Sequence, residues 1–255
     1  MGIRTVGVLG CGLMGSGIAQ VCAAAGYRTI VREVDETVLQ KGLDRIRAFL
    51  EAGVAKGKTT PDSRDSTLAN LTGTTTFEAM ASCDLVIEAI VENLELKQAS
   101  YTSLDPALPP HAILVSNTSS LCITELAAST RRPDRFAGLH FFSPVPLMKL
   151  VEIVRGLATS DDTYQTVFTF AQSLGKEPIT APDRPGFIVN RLLVPYLLDA
   201  IRAYQNGLGT AHDIDAGMTL GCGHPMGPLT LLDFVGLETT YYIANIMFEE
   251  FREKK

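Results

Sequence analysis

A histidine and a glutamate twelve residues apart have the types and the setting of an acid–base pair. His140 lies near the end of the apolar segment 136–141, and Glu152 lies inside the apolar segment 150–154. A buried carboxylate needs a partner, since an uncompensated charge in apolar surroundings is costly. Two strands joined by the turn at 144–146 would bring these side chains together. The carboxylate would orient the imidazole and favour its protonated form, which suits a general base for a hydroxyl proton. A core histidine bonded to a nearby acid is the alternative interpretation.

Small polar residues follow another apolar segment. The run 116–120, Ser-Asn-Thr-Ser-Ser, comes at the carboxyl end of a predicted strand over 112–116. Open parallel sheets bind their ligands at that edge. The run also suits a cap for the following helix, and the two interpretations are compatible. Asn190, which begins a later helical stretch among apolar neighbours, is by itself also compatible with a satisfied interdomain hydrogen bond.

A glycine-rich turn near the N-terminus indicates what such a site would act with. The apolar residues 6–9 lead into Gly10-Cys11-Gly12-Leu13-Met14-Gly15, and a helical pattern follows. In this G-x-G-x-x-G arrangement Gly10 permits the tight turn, Gly12 lets the backbone approach phosphates, and Gly15 lets helix and strand pack closely. The helix N-terminus then faces the anion. An ordinary glycine-rich turn is the alternative, but the order of strand, turn and helix favours a dinucleotide pyrophosphate.

An acidic residue at the end of the second predicted strand specifies the dinucleotide. Glu33 follows the apolar segment 29–31, about 20 residues beyond the glycines, and would accept hydrogen bonds from the adenosine ribose. Asp35 suits the cap of the next helix. An acid at this place repels a 2′-phosphate, so we predict NAD rather than NADP, although Arg28 and Arg32 weaken that preference. Residues 89–92, beginning at Ala89, follow another strand end, where the nicotinamide half would pass.

The bulk composition excludes several classes. The chain has 255 residues, 46% hydrophobic and 20% charged, with no apolar run long enough for a membrane span and no signal-peptide pattern. Its five cysteines form no C-x-x-C pair, so we expect reduced thiols in a cytoplasmic protein, with Cys11 a small packed residue. The net charge of −6 argues against nucleic acid as a partner. We predict neither a metal site nor a membrane partner.

The order of elements predicts an α/β fold in two domains. Apolar strands alternating with helical patterns predict a mostly parallel, Rossmann-type sheet over residues 1–184, including a helical hairpin at about 36–70. After the turn-rich residues 183–186 only helical patterns follow, so residues 185–255 are predicted to form a smaller all-helical domain. Its first helix carries one apolar stripe, formed by Ile188, Leu192, Leu193, Tyr196, Leu197 and Ala200.

Seven blocks in uninterrupted order carry a resemblance to a known family. They are residues 10–19, residues 87–89 with Glu92, and residues 116–121, 138–144, 148–152, 185–191 and 225–228. The chain resembles the L-3-hydroxyacyl-CoA dehydrogenases, and among them the bacterial 3-hydroxybutyryl-CoA dehydrogenases. The resemblance implies an NAD-dependent oxidoreductase that interconverts (S)-3-hydroxyacyl-CoA and 3-oxoacyl-CoA, with an acyl-CoA thioester as its substrate partner.

The resemblance also implies residue roles. His140 would be the catalytic base with Glu152 as its orienting partner, Ser119 would hydrogen-bond the 3-oxygen of the substrate, and Asn190 would position or polarise the reacting group. Other positions would contact the cofactor or coenzyme A. They are Leu13 and Met14 in the glycine loop, Glu33 at the adenosine ribose, Ala89, Glu92, Lys97 and Asn117 near the nicotinamide, and the basic turn at Lys56 and Lys58 at coenzyme A. A solvated loop is the alternative for that turn.

The family's helical domain continues beyond the point where this chain stops, at Lys255. We therefore expect an incomplete C-terminal domain, truncated in the part that builds the substrate cleft and the homodimer interface. Two rival hypotheses remain: a dehydrogenase of a free hydroxy acid, and an NAD-binding protein with impaired catalysis.

Overall fold

The computed structural model describes residues 2–252 and divides the chain into two compact units, with the boundary between Asp183 and Arg184. The first unit contains one eight-stranded sheet. Its strands are β1 (Thr5–Leu9), β2 (Arg28–Arg32), β3 (Leu71–Thr74), β4 (Leu85–Glu88), β5 (Ile113–Ser116), β6 (Phe136–Phe141), β7 (Leu150–Arg155) and β8 (Glu177–Pro182). They lie in the order β3-β2-β1-β4-β5-β6-β7-β8.

Six α-helices are described in this unit, and four of them have side-chain N-caps. They are α1 (Leu13–Ala24), α2 (Glu36–Ala55), α3 (Pro61–Ala69), α4 (Leu94–Leu104), α5 (Ile123–Ala127) and α6 (Asp161–Ser173). Asp35, Thr60, Asn93 and Ser160 cap α2, α3, α4 and α6 by accepting from the backbone three residues later. The predicted pair of helices at 36–70 is therefore present as α2 and α3.

The sheet is parallel except for one pair. β6 and β7 run antiparallel, whereas every other neighbouring pair runs parallel. The carboxyl ends of β1, β4, β5 and β6 consequently meet at one edge, and the antiparallel β7 begins at that edge. Strand order reverses direction between β1 and β4, which is the point where doubly wound sheets bind ligands. The mostly parallel Rossmann-type sheet predicted from the sequence is confirmed.

One strand escaped the sequence prediction. β3 has the sequence Leu-Thr-Gly-Thr, lies at the margin of the sheet and pairs only with β2 among the strands of the described chain. None of its side chains is fully buried. Because burial on one face is what produces alternation of apolar and polar residues, this segment lacks the usual signal.

The second unit is helical within the described residues. It contains α7 (Val189–Gln205), α8 (Ala211–Ala216) followed by a π-helical turn (Gly217–Gly221), α9 (Pro228–Val235) and α10 (Leu237–Phe251). Val194 of α7 packs with Ile243 and Met247 of α10 in a small core. The predicted apolar stripe of α7 is wrong at Leu192, whose side chain is 71% exposed. The buried face follows Val194, Leu197 and Ala200 instead, because α9 and α10 pack on that side.

Among residues 2–252, no helix has both the length and the apolar character that crossing a lipid bilayer requires.

Candidate active site

The glycine turn between β1 and α1 is a cradle that side chains would fill. Gly10 has φ +92°, and a Cβ there would lie 2.6 Å from the carbonyl oxygen of Ala89. A Cβ on Gly15 would lie 2.0 Å from the carbonyl oxygen of Gly10. Both positions therefore require glycine on steric grounds. A Cβ on Gly12 would meet nothing within 4 Å, so this glycine borders open space, where a ligand can approach the backbone.

The helix that follows presents its N-terminus to the same space. The first helical hydrogen bond runs from the N–H of Ser16 to the carbonyl of Gly12. The N–H groups of Leu13, Met14 and Gly15 therefore precede the helical ladder and are available to an anion. The Leu13 side chain is exposed beside them, and that of Met14 is half-buried. A close-approach turn with free N–H groups fits a dinucleotide pyrophosphate.

Glu33 closes this turn from the end of β2. Its carboxylate accepts from the N–H of Cys11 at 2.6 Å and from the N–H of Val34 at 2.9 Å. The acid thus lies beside the glycine loop, where an adenosine ribose would come, while Asp35 caps α2 through the N–H of Val38 at 2.9 Å. Residues of the loop and the strand end are therefore held in one rigid group.

Arg28, Arg32 and Arg45 differ in their surroundings and in their distance from this loop. Arg28 starts β2 and so lies at the opposite end of that strand from Glu33. Arg32 places its guanidinium over the ring of Phe77 at 4.2 Å. Arg45 of α2, which the sequence did not single out, reaches towards the carbonyl of Cys11 and the hydroxyl of Ser16, at 3.4 and 3.5 Å. Its spacing from the glycine motif gives no signal, because the contact depends on how α2 packs on α1.

Cys11 is a packed residue of the loop. Its side chain is buried and lies so close to Gly42 of α2 that a Cβ there would be 2.2 Å from its sulfur. Burial, together with the negative charge of Glu33, raises the pKa of the Cys11 thiol to about 11. The thiol is therefore neutral near pH 7 and is a poor nucleophile.

His140 and Glu152 face each other across the antiparallel pair β6–β7. They are directly opposed in register, and Nδ1 of His140 lies 2.7 Å from Oε2 of Glu152. Both residues are buried, and the ring of Phe142 lies against the imidazole with centroids 4.6 Å apart. The other ring nitrogen, Nε2, lies 3.2 Å from the hydroxyl of Ser119. One nitrogen is thus held by a carboxylate, and the other is directed to a hydroxyl at the sheet edge.

The loop after β5 is held by Glu92 and Asn117. The Glu92 carboxylate accepts from the N–H of Ser119 at 2.9 Å, and it also accepts from the hydroxyls of Thr118 and Ser120. Asn117 uses its Oδ1 to accept from the N–H of Phe141 at 2.9 Å. These bonds join the loop to β6, immediately after His140, and fix Ser119 against the histidine.

A buried network beneath this loop was missed in the sequence. Glu88, fully buried at the end of β4, accepts from Lys97 Nζ at 2.5 Å, the Tyr101 hydroxyl at 2.8 Å and the Ser116 hydroxyl at 2.7 Å. Lys97 also lies 3.3 Å from the Glu92 carboxylate. Lys97 is therefore enclosed in the protein, between two carboxylates, instead of lining an open surface. A glutamate inside an apolar strand, as at Glu152, was the available signal for Glu88.

Three further predicted residues belong to other elements. Asn190 is half-buried in the first turn of α7, in the second unit. Lys56 and Lys58 are exposed between α2 and α3. Because Gly42 of α2 packs against Cys11 of the glycine loop, Lys56, fourteen residues further on, lies about 20 Å along the helix from that contact.

Two family models together match almost the whole chain. The family model for the NAD binding domain of 3-hydroxyacyl-CoA dehydrogenase matches residues 5–184, and the model for the C-terminal domain of that family matches residues 186–255. A mitochondrial hydroxyacyl-coenzyme A dehydrogenase of Rattus norvegicus is 49% identical over 250 residues, covering 95% of this chain and 79% of the relative.

Bacterial relatives are similarly close. A 3-hydroxybutyryl-CoA dehydrogenase of Mycobacterium tuberculosis is 47% identical over 253 residues, covering 98% of this chain and 88% of the relative. The crystal structure of (S)-3-hydroxybutyryl-CoA dehydrogenase from Ralstonia eutropha superposes with a TM-score of 0.95 at 43% identity, covering 98% of this chain and 89% of that one.

The glycine cradle on a doubly wound sheet, with a histidine–carboxylate pair at the same edge, defines an NAD-dependent oxidoreductase. The chain belongs to the 3-hydroxyacyl-CoA dehydrogenase family.

Proposed function

We infer that this protein interconverts (S)-3-hydroxyacyl-CoA and 3-oxoacyl-CoA, with 3-hydroxybutyryl-CoA and acetoacetyl-CoA as the pair to test first. The observation that carries the inference is the geometry of His140. Its Nδ1 is 2.7 Å from a buried carboxylate, and its Nε2 faces the Ser119 hydroxyl at the edge where the glycine cradle lies. The names of the relatives, which include 3-hydroxybutyryl-CoA dehydrogenases, support the substrate class.

In the oxidative direction the 3-hydroxyl loses its proton while its carbon loses a hydride, and a carbonyl forms. NAD, when bound, supplies the acceptor for that hydride. His140 takes the hydroxyl proton at Nε2, and Glu152 stabilises the imidazolium that results. Ser119 donates a hydrogen bond to the substrate oxygen, on which negative charge develops before the carbonyl is complete. In the reductive direction His140 returns the proton.

Other parts of the proposal concern binding. Glu33, beside the glycine loop, favours NAD over NADP because a 2′-phosphate would meet its carboxylate. Gly10, Gly12, Leu13, Met14 and Gly15 would hold the pyrophosphate, and Ala89, Glu92, Lys97 and Asn117 would bound or support the nicotinamide region. Asn190 would position or polarise the reacting group of the substrate. The exposed Lys56 and Lys58 would bind the phosphates of coenzyme A. The homodimer and the cytoplasmic location belong to the same proposal.

The rate of NADH oxidation with acetoacetyl-CoA tests the proposal, with NADPH and free acetoacetate as controls. Oxidation of NADH that requires the thioester is the expected result. Equal turnover of free acetoacetate would instead make the protein a dehydrogenase of free hydroxy acids. Binding of NADH without turnover of either substrate would make it a nucleotide-binding protein and would refute the proposed reaction.

A further inference from the structure

A lysine behind the catalytic hairpin is held in an unusual way. Lys176 follows α6, and the α6 C-terminus is closed by bonds from the N–H of Gly175 to the carbonyl of Gln172 and from the N–H of Lys176 to the carbonyl of Ala171. Gly175 has φ +71°, so the turn is a Schellman motif. Lys176 lies two residues beyond the C-cap of α6, Leu174. This position commonly carries an apolar residue that packs back on the helix. Here it carries a cation.

The Lys176 ammonium donates hydrogen bonds to the connection between β6 and β7. Nζ donates to the carbonyl of Val145 at 2.6 Å and to the carbonyl of Met148 at 2.8 Å, and the residue is buried. Among the described residues, no carboxylate forms an ion pair with it. Burial lowers the pKa of Lys176 from its ordinary value. Burying a cation without an anion costs free energy, and the hydrogen bonds to these two carbonyls offset part of that cost.

Those carbonyls belong to the segment that ties the catalytic strands to the cofactor helix. The connection begins just after Phe142, whose ring lies against His140, and it ends where β7 leads to Glu152. Val145 is buried against α1, so closely that a Cβ on Gly17 would lie 2.9 Å from the Val145 Cβ. The connection is therefore wedged between the helix that follows the glycine cradle and the two strands that carry the base.

We propose that Lys176 is a positioning residue for the dehydrogenase reaction: by fixing the 142–149 connection, it sets the place of His140 relative to the cofactor-binding helix. Proton and hydride transfer need reacting atoms aligned to within about 1 Å, and a misplacement of that size costs about 10²-fold in rate. Lys176 touches neither substrate nor cofactor in this proposal. It acts through Val145 and Met148. The proposal rests on the proposed function.

The test is a set of variants assayed with acetoacetyl-CoA and NADH. Lys176→Met keeps the length of the side chain and removes both hydrogen bonds, whereas Lys176→Arg keeps a cation that can donate to both carbonyls. Lys149→Met, an exposed lysine of the same connection, is the matched control. Measurements are kcat and KM for the thioester, the Kd for NADH, the melting temperature, and the isotope effect on kcat with NADH deuterated at the transferred position.

We expect Lys176→Met to lower kcat about 10- to 100-fold with a larger isotope effect, while the Kd for NADH changes less than about 3-fold. Lys176→Arg should recover most of kcat, and Lys149→Met should match the wild type. If Lys176→Met lowers only the melting temperature, with kcat and isotope effect unchanged, the lysine is merely structural and the inference is wrong. If Lys176→Met does not fold, Lys176→Gln takes its place, since its shorter side chain cannot reach both carbonyls. An unchanged kcat and isotope effect in Lys176→Gln, with a lowered melting temperature, would overturn the inference equally. Absence of turnover in the wild type would refute the proposed function instead.

Discussion

Two buried carboxylates of the sheet are each bonded to a basic side chain, and their partners differ in one respect. Glu88 on β4 receives the Lys97 ammonium, two hydroxyls and the N–H of Ile90, and Lys97 is enclosed with it. Glu152 on β7 receives His140, whose second nitrogen reaches the Ser119 hydroxyl. The Lys97 ammonium is enclosed by protein groups, among them the carboxylates of Glu88 and Glu92. The imidazole of His140 uses only Nδ1 for its carboxylate, and its Nε2 faces the Ser119 hydroxyl, where a substrate proton could be accepted.

This difference indicates that the Glu88–Lys97 pair serves stability and that the His140–Glu152 pair suits catalysis. A saturated ion pair in a dry interior resists removal of either member, since the other is left as an unpaired buried charge. A histidine held through one nitrogen has a defined tautomer and a defined direction for the other, as a general base requires. We therefore expect changes at Glu88 to affect unfolding and changes at the His140–Glu152 pair to affect turnover. Single substitutions at these positions test that division.

The largest effect is expected at the base itself. His140→Ala should lower turnover about 10²- to 10⁴-fold, because it removes the group that accepts the hydroxyl proton. The Kd for NADH should stay near the wild-type value, since the glycine cradle is unchanged. Stopped-flow turnover and fluorescence titration of NADH measure the two quantities. His111→Ala, an exposed histidine paired with Asp84, is the control. Wild-type turnover in His140→Ala would remove His140 from the mechanism.

Next in size is the unfolding effect at Glu88. Glu88→Gln leaves the Lys97 ammonium buried without its nearest carboxylate, and we expect a loss of about 3 kcal/mol in the free energy of unfolding. Urea titration measures it. The kcat of folded Glu88→Gln should stay within about 3-fold of the wild-type value, because we assign the Glu88–Lys97 pair to stability and the His140–Glu152 pair to turnover. Glu95→Gln, at an exposed position of α4, provides the control.

A double variant sharpens this result. Adding Lys97→Met to Glu88→Gln removes the buried ammonium that has lost its nearest carboxylate, so part of the lost free energy should return. If the double variant loses more unfolding free energy than the two single variants lose together, Glu88 and Lys97 are not coupled through charge.

The matching change on the catalytic side is smaller. Glu152→Gln keeps an acceptor for the Nδ1 proton of His140 but removes the negative charge that stabilises the imidazolium. We expect kcat/KM to fall about 10- to 100-fold, with the melting temperature little changed. Glu125→Gln, on the exposed side of α5, should match the wild type. A variant that melts earlier but turns over normally would assign Glu152 to the core alone.

The His140–Glu152 pair could be predicted from the sequence more fully than the buried network of Glu88. His140 and Glu152 belong to strands joined by a short proline-containing turn, so their register follows from local connectivity. The glycine motif likewise needs only one strand and one helix. Glu88 and Lys97 are brought together by the docking of α4 on the sheet, and Arg45 reaches the glycine loop through the packing of α2 on α1. Contacts of that kind depend on packing between elements, which spacing does not encode.

The smallest effect concerns Tyr101, which donates to Glu88 at 2.8 Å. Burial, aided by the negative charge of Glu88, raises the pKa of the Tyr101 hydroxyl well above its ordinary value. Tyr101→Phe removes one of the donors to Glu88, and we expect it to cost about 1 kcal/mol of unfolding free energy at pH 8. The exposed Tyr204→Phe should cost nothing measurable.

The pH dependence of this difference has a definite sign. A group whose pKa is raised by folding adds stability that is fully present below its unfolded pKa, about 10 for tyrosine, and is lost as pH rises above it. Between pH 10 and 11 the unfolded wild type releases the Tyr101 proton while the folded protein retains it. The wild type should then lose up to about 1.4 kcal/mol per pH unit relative to Tyr101→Phe, so the two stabilities should converge near pH 11. A gap that stays constant from pH 8 to pH 11 would show that Tyr101 ionises freely, and Glu88 would then not lie in a closed network.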